Sequence, residues 1–183
     1  MILTKPDLEE LLGKVHFKPD GTTEPARPIV TDEVDMSIQL QPNGIDLTVK
    51  AVRKFFACGV IGFNDKELPP TVPIEWDDNG SICLPEGSYL VELNETLDIP
   101  LNLVGTAIPR STVLRTGNTV ATALFDGGYV GKPSVLLVVL NSHGLTLKRN
   151  ARIVQLSFHL TTEGLEDGEG YDGSYQHEGM AQG

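Results

Sequence analysis

Positive charge is scarce in this sequence. Only 14 lysines and arginines stand against 25 aspartates and glutamates, a formal net charge of -11. Such a chain is repelled by polyanions as a whole, which argues against non-specific binding to nucleic acid and against binding to anionic membrane. Cysteine is scarcer still. Cys58 and Cys83 have no metal-type spacing, and a reduced, cytoplasmic protein is the simpler reading. Long hydrophobic runs are missing: the longest purely apolar stretch, Val135 to Leu140, is far too short to span a bilayer. The opening segment Met1-Ile-Leu-Thr-Lys-Pro-Asp-Leu-Glu-Glu10 is too charged for a signal peptide. Without a secretory signal, the sequon Asn94-Glu-Thr96 reads as accidental. No internal repeat is evident.

What remains is a chain of 183 residues with 40% hydrophobic content, enough for one domain with a real core. Thr4 can cap a short helix with Pro6 and Asp7 in its first turn, an apolar face of Leu8, Leu11 and Leu12, and Gly13 as its stop. Residues 14 to 35 are rich in Pro, Asp and Thr and read as irregular. Then β-like runs follow: Ile45 to Val49, Ser88 to Leu93 and Arg152 to Phe158 alternate, and Val135 to Leu140 suits a strand buried on both faces. Asn-Gly, Glu-Gly, Asp-Gly-Gly and His-Gly turn signals lie between them. This spacing predicts an all-β sandwich or barrel, most simply a jelly roll, over residues 1–160. From Thr161 to Gly183 the chain is Gly-rich and acidic and reads as a mobile tail, although it carries Tyr171 and Tyr175. The pattern Gly168-Glu-Gly-Tyr-Asp-Gly173 has no strand before it and no helix after it, so it is no dinucleotide fingerprint.

Charge is not spread evenly. Gly105 to Leu160 holds four arginines and two lysines but one acid, Asp126. A local cationic excess in an acidic chain marks a place that receives negative charge. Asp126 precedes Gly127-Gly128, a common hairpin turn, and can equally be a base held ionised by nearby cations. Arg110 and Ser111 offer a bidentate phosphate ligand and a compact hydroxyl donor, or simply a helix start. Gln155, inside an apolar strand, needs partners whether it is structural or a ligand contact. Tyr129 reads as core or as binding site, and Asp46 as a plain outward-facing strand residue or more. His143 and His159 read as structural.

Taken in order, these segments resemble the dUTPase and dCTP deaminase superfamily. Met1 to Leu8 is similar to the start of its deaminase-like branch, Gln41-Pro-Asn-Gly-Ile-Asp-Leu47 to its first motif, and Leu84-Pro-Glu-Gly-Ser-Tyr-Leu-Val91 to the strand that follows. Pro109-Arg-Ser-Thr112 through Arg115 resembles the Arg-Ser phosphate motif, Phe125-Asp-Gly-Gly-Tyr-Val-Gly131 the catalytic hairpin, and Arg152-Ile-Val-Gln155 the glutamine motif. The resemblance runs to Gln176. It implies a distorted jelly-roll β-barrel with a short N-terminal helix, assembled as a homotrimer with sites between subunits. It implies Asp126 as the water-activating base and Tyr129 as the floor under the deoxyribose. Arg110, Ser111 and Gln155 would hold the phosphates, with Thr112, Arg115, Thr122, Tyr171 and Gln176 completing the substrate site. Asp46 would help order Mg²⁺ through water, and the tail of one subunit would close over a site.

Two activities separate within that superfamily. The deaminases use a glutamate on the strand after the hairpin, and Lys132 to Asn141 contains no acid; a hydrocarbon cannot replace a general acid-base. Leu124 also stands where the deaminase branch carries an arginine. The expectation is a dUTP diphosphatase on the deaminase-like branch, a combination that resembles archaeal and archaeal-virus enzymes. The alternatives are a dCTP deaminase or bifunctional deaminase/dUTPase, and a non-catalytic nucleotide-binding or assembly module.

Overall fold

A computed structural model of the chain describes residues 1–13, 15–17, 23–25 and 27–180. The expected N-terminal helix spans Lys5–Leu11. The Asp7 carboxylate accepts from the Thr4 backbone N–H at 2.8 Å and from the Thr4 hydroxyl at 2.7 Å, which satisfies the start of the helix. Leu8 is fully buried and anchors the helix to the domain, while Leu3 N–H bonds Phe158 O at 2.9 Å. The stretch after it is less irregular than its composition suggests. Short strands run at Val15–Phe17, Thr23–Pro25 and Val30–Thr31, with a one-turn helix at Met36–Gln39. Residues 14, 18–22 and 26 of the expected irregular segment lie outside the described residues, as do 181–183 of the tail.

The body is a nearly closed, barrel-like antiparallel sheet. Its strands lie in the order Leu103–Pro109, Arg152–Leu160, Gly44–Phe55, Gly87–Leu93, Ser134–Val139 and Asn118–Ala121. The long Gly44–Phe55 strand makes this possible. Its first half pairs with Arg152–Leu160 and its second half with Gly87–Leu93. The strand begins at a tight turn, with Gln41 paired to Gly44. A Cβ on Gly44 would collide with the Leu156 carbonyl oxygen. Only glycine lets the backbone approach so closely, and that approach sets Asp46 opposite Gln155.

Alternating inward residues build the core, among them Ile45, Leu47, Val49, Val91, Leu93, Leu137, Leu156 and Phe158. Two expectations about strand faces reverse. Ser134–Val139 is not buried on both faces: Val135, Leu137 and Val139 point inward, while Ser134, Leu136 and Val138 are only half-covered. A barrel seals its inner face and leaves the outer one to whatever packs there. Conversely, the alternating run Ile45 to Val49 is buried throughout, because polar side chains on its second face, Asp46 and Thr48, are each about 1% exposed. The Met36–Gln39 turn, Glu95 and two arginines cover that face.

Candidate active site

The segment after Asn118–Ala121 turns back along Leu103–Pro109. Gly105 and Phe125 exchange backbone hydrogen bonds at 2.8 and 3.0 Å, and the Thr122 hydroxyl donates to Ala107 O at 2.8 Å. The chain then reverses at Asp126-Gly-Gly-Tyr129, where Tyr129 N–H bonds Asp126 O at 3.1 Å. Gly128 sits at φ +87°, and a Cβ there would lie 2.9 Å from Gly170 Cα, so the turn needs glycine for both its conformation and its neighbour. The turn presents Asp126 exposed at the edge of a cavity of about 710 Å³. Leu68, Ala123, Leu124, Ser134 and Tyr171 supply much of its wall. Tyr129 is 5% exposed and lies between Phe125, at 6.0 Å between ring centroids, and Tyr171, at 5.7 Å in an edge-on contact. This is a mostly apolar pocket with one exposed carboxylate at its rim, a suitable shape for a flat or ring-shaped ligand.

The tail lies along the same hairpin of its own chain. Tyr171 N–H donates to Gly127 O at 2.9 Å, His177 N–H to Val130 O at 2.7 Å, and Lys132 N–H to Glu178 O at 2.8 Å. Gln176 spans the gap between these bonds. Its amide oxygen accepts from Val130 N–H at 2.9 Å and its NH₂ donates to Gly128 O at 2.8 Å. The tail has too few aliphatics for a core of its own and takes its partners from the hairpin backbone instead. A short arm closes the far side: Lys66 donates to the Ser174 hydroxyl at 2.8 Å and sits 4.7 Å from the centre of the Tyr175 ring.

A second cluster gathers where Leu103–Pro109 ends. Arg110 precedes the short helix Ser111–Arg115. Its Nε bonds Asp46 Oδ2 at 2.8 Å, and the Arg152 guanidinium reaches the same oxygen at 3.2 Å. Burial pushes the Asp46 carboxyl up from the ordinary range, and the two guanidiniums oppose that rise. Gln155 is half-buried and pairs across to Ile108 and Asp46. Ser111, Thr112 and Arg115 are exposed on the helix beside it. Asp46 is therefore not outward-facing: one of its carboxylate oxygens is held between two guanidiniums. Among the described residues no group of three or more His, Cys, Asp and Glu is placed to hold a metal.

The two clusters do not meet within one protomer. The hairpin passes Gly105 at Phe125, so Asp126 lies near Val104 while Arg110 lies six residues further along the chain. At about 3.3 Å per residue the strand, which ends at Pro109, sets the two roughly 20 Å apart. Asp126, Tyr129, Tyr171 and Gln176 thus gather at one end, and Arg110, Ser111, Thr112, Arg115 and Asp46 at the other, with Thr122 beside Ala107 and Gln155 beside Ile108 between them.

Sequence reasoning missed several participants. The motif around Arg152 gives no sign that its side chain is a second grip on Asp46. Gln39 and Glu95 carry no sequence signal at all. Glu95 is fully buried and accepts from Gln39 Nε2 at 2.8 Å, Thr48 N–H at 3.0 Å and the Thr48 hydroxyl at 2.6 Å. Burial raises its carboxyl above the usual range while these donors lower it. Gln39 also accepts from Val34 and Asp35 N–H and donates to Asp46 O, all at 2.8 Å, so this network positions the strand that carries Asp46. Glu178, whose carboxylate accepts from the Tyr129 hydroxyl at 2.9 Å, was also missed. Nothing in an acidic Gly-rich tail distinguishes one glutamate from another. His159 is paired with Thr106 at 2.9 Å and His143 is exposed.

Residues 24–161 match the model of the dCTP deaminase-like family. A probable deoxyuridine 5′-triphosphate nucleotidohydrolase of Methanosarcina mazei is 43% identical over 153 residues, covering 82% of this chain and 88% of that protein. A probable nucleotidohydrolase of the same description from Methanococcoides burtonii is 44% identical over 156 residues, covering 84% and 90%. One from Archaeoglobus fulgidus is 38% identical over 154 residues, covering 83% and 89%. Among solved structures, the 2′-deoxycytidine 5′-triphosphate deaminase of Agrobacterium tumefaciens superposes with a TM-score of 0.62 at 20% identity, covering 87% of this chain and 48% of that one. The chain spans about half the length of that deaminase, and the likeness is one of fold.

Proposed function

This chain belongs to the dCTP deaminase-like family, and we propose that it is a dUTP diphosphatase, converting dUTP and water to dUMP and pyrophosphate. The relatives described as probable deoxyuridine 5′-triphosphate nucleotidohydrolases, 38 to 44% identical over most of the chain, support that activity. The observation that carries the mechanism is Asp126, an exposed carboxylate at the rim of an apolar pocket walled by Tyr129. Asp126 takes a proton from water, the oxygen attacks the α-phosphorus, and the bond to the bridging oxygen breaks as pyrophosphate leaves. Tyr129 lies under the deoxyribose. Thr122 and the neighbouring backbone face the uracil edge. Tyr171 and Gln176 fasten the tail, which begins at Thr161, as a lid over the hairpin of the preceding domain.

Arg110, Ser111, Thr112, Arg115 and Gln155 hold the phosphates. Roughly 20 Å of strand separates Arg110 and the helix it precedes from Asp126, too far for one triphosphate to reach from the same protomer. The site is therefore shared, with the hairpin of one subunit facing the arginine cluster of the next, and closing that head-to-tail contact as a ring gives the homotrimer. Magnesium arrives with the nucleotide as Mg·dUTP and offsets charge on the phosphates. The exposed, free Cys58 and Cys83 suit a reducing cytoplasm.

Deamination of dCTP is disfavoured by the strand that follows the hairpin. Ser134 contributes to the pocket wall, and the strand Ser134–Val139 carries no acid. A pyrophosphate-release assay with dUTP, dCTP, dTTP and UTP tests the whole reading. Turnover of dUTP alone, with no ammonia from dCTP, supports it. Ammonia release overturns the assignment as a pure hydrolase, and inert dUTP leaves a binding module.

A further inference from the structure

The Tyr129 ring has three neighbours that fix its position. Phe125 packs against it at a tilt and Tyr171 in an edge-on contact, and Glu178 accepts from its hydroxyl at 2.9 Å. Space at the hydroxyl is tight: a Cβ on Gly131 would lie 2.9 Å from it. Glu178 is itself anchored, because its backbone oxygen accepts from Lys132 N–H at 2.8 Å and its own N–H bonds Tyr175 O at 3.1 Å. The carboxylate lines the same cavity as Asp126. Among the described residues it makes no ion pair, although burial raises its carboxyl above the ordinary glutamate range. A half-buried acid in an acidic chain, set at the wall of a pocket that receives a polyanion, costs free energy both by desolvation and by repulsion. What it gains in return is a defined acceptor for one hydroxyl.

We propose that Glu178 is a positioning residue that fixes the Tyr129 ring, so that docking of the tail, and not the hairpin alone, sets discrimination against the 2′-hydroxyl. The proposal rests on the reading of the chain as a dUTP hydrolase with Tyr129 beneath the sugar. With the tail away, Tyr129 loses the Tyr171 contact and its hydroxyl partner together, and the ring is free to tilt out of the space that a ribose would need.

The test is a double-mutant cycle read as the ratio of kcat/KM for UTP to that for dUTP. Tyr129→Phe and Glu178→Ala should each raise the ratio by a similar factor. That factor is bounded by about 10²-fold, the most that steric rejection of an added hydroxyl supplies. Combining them should add nothing further, because both remove the same bond. Glu178→Gln keeps an acceptor oxygen and should restore the parent ratio. Melting temperatures measured alongside detect a purely structural effect, which would lower stability and leave the ratio alone. A parent that does not hydrolyse dUTP removes the functional reading itself. An active parent whose ratio is unmoved by Glu178→Ala, or moved additively in the double variant, overturns the positioning role only.

Discussion

Arg110 and Arg152 grip one oxygen of Asp46, at 2.8 and 3.2 Å, from different segments of the chain. Asp46 is 1% exposed on its side-chain surface, whereas the arginines are 25% and 31% exposed. The acid thus acts as a buried post, and the guanidiniums lean from it toward solvent, where an anionic ligand can reach them.

Asp46→Asn should separate this role from that of a metal ligand. Removing the acid leaves two cations facing each other. Breaking a fully buried pair costs about 3–5 kcal/mol, and the arginines' partial exposure reduces that to roughly 2–3 kcal/mol. Urea denaturation should show that loss, with phosphate affinity weakened by misplaced arginines. A variant of parental stability whose only defect is a higher magnesium requirement would support the metal reading instead.

The shared site makes a quantitative prediction. Asp126→Asn and the double variant Ser111→Ala/Arg115→Ala should each be nearly inactive alone. The substituted side chains are exposed, so folding is not at risk. After dissociation and reassembly of an equal mixture, a site is intact when its hairpin and its arginine cluster both come from unmutated surfaces. In a ring that occurs in about a quarter of sites, so about a quarter of parental activity should return. A site confined to one protomer would recover none.

Glu178 predicts how tail docking responds to pH. Its carboxyl is raised by burial, with the Tyr129 bond opposing. The groups around it are Tyr129 and Tyr171 in the main cavity and Lys50, Glu92 and Lys132 in the smaller one adjoining it. A carboxyl whose docked value is raised contributes fully below its ordinary value of about 4.3 and loses that contribution as pH rises through the raised value. Hydrogen exchange of residues 171–180 should therefore quicken across that window in the parent and stay flat in Glu178→Gln. A parent that shows slower exchange as pH rises, after correction for intrinsic rates, would contradict the sign.

Much of this was legible beforehand, for physical reasons. Leu8 and Leu11 carry a helical period with Thr4 before them, and Gly127-Gly128 after Asp126 marks a turn in almost any context. The all-β barrel followed from short alternating runs. What the sequence hid are relations across distance. Asp46 reads as an ordinary polar residue on an alternating strand until Arg110 and Arg152 arrive from other segments. The buried carboxylate of Glu95 depends on Gln39 and Thr48, and no periodicity announces that trio. Val135 to Leu140 looks doubly buried because hydrophobicity alone does not say which face of a barrel is covered.

The claim on which the rest depends is that Asp126 activates water for attack on dUTP. Single-turnover hydrolysis of Mg·dUTP by Asp126→Asn, with dUTP binding measured on the same protein, tests it most directly. The substitution keeps size and turn geometry but removes basicity, so turnover should fall by about 10²- to 10⁴-fold with binding nearly unchanged. Turnover within a few-fold of the parent would contradict the account.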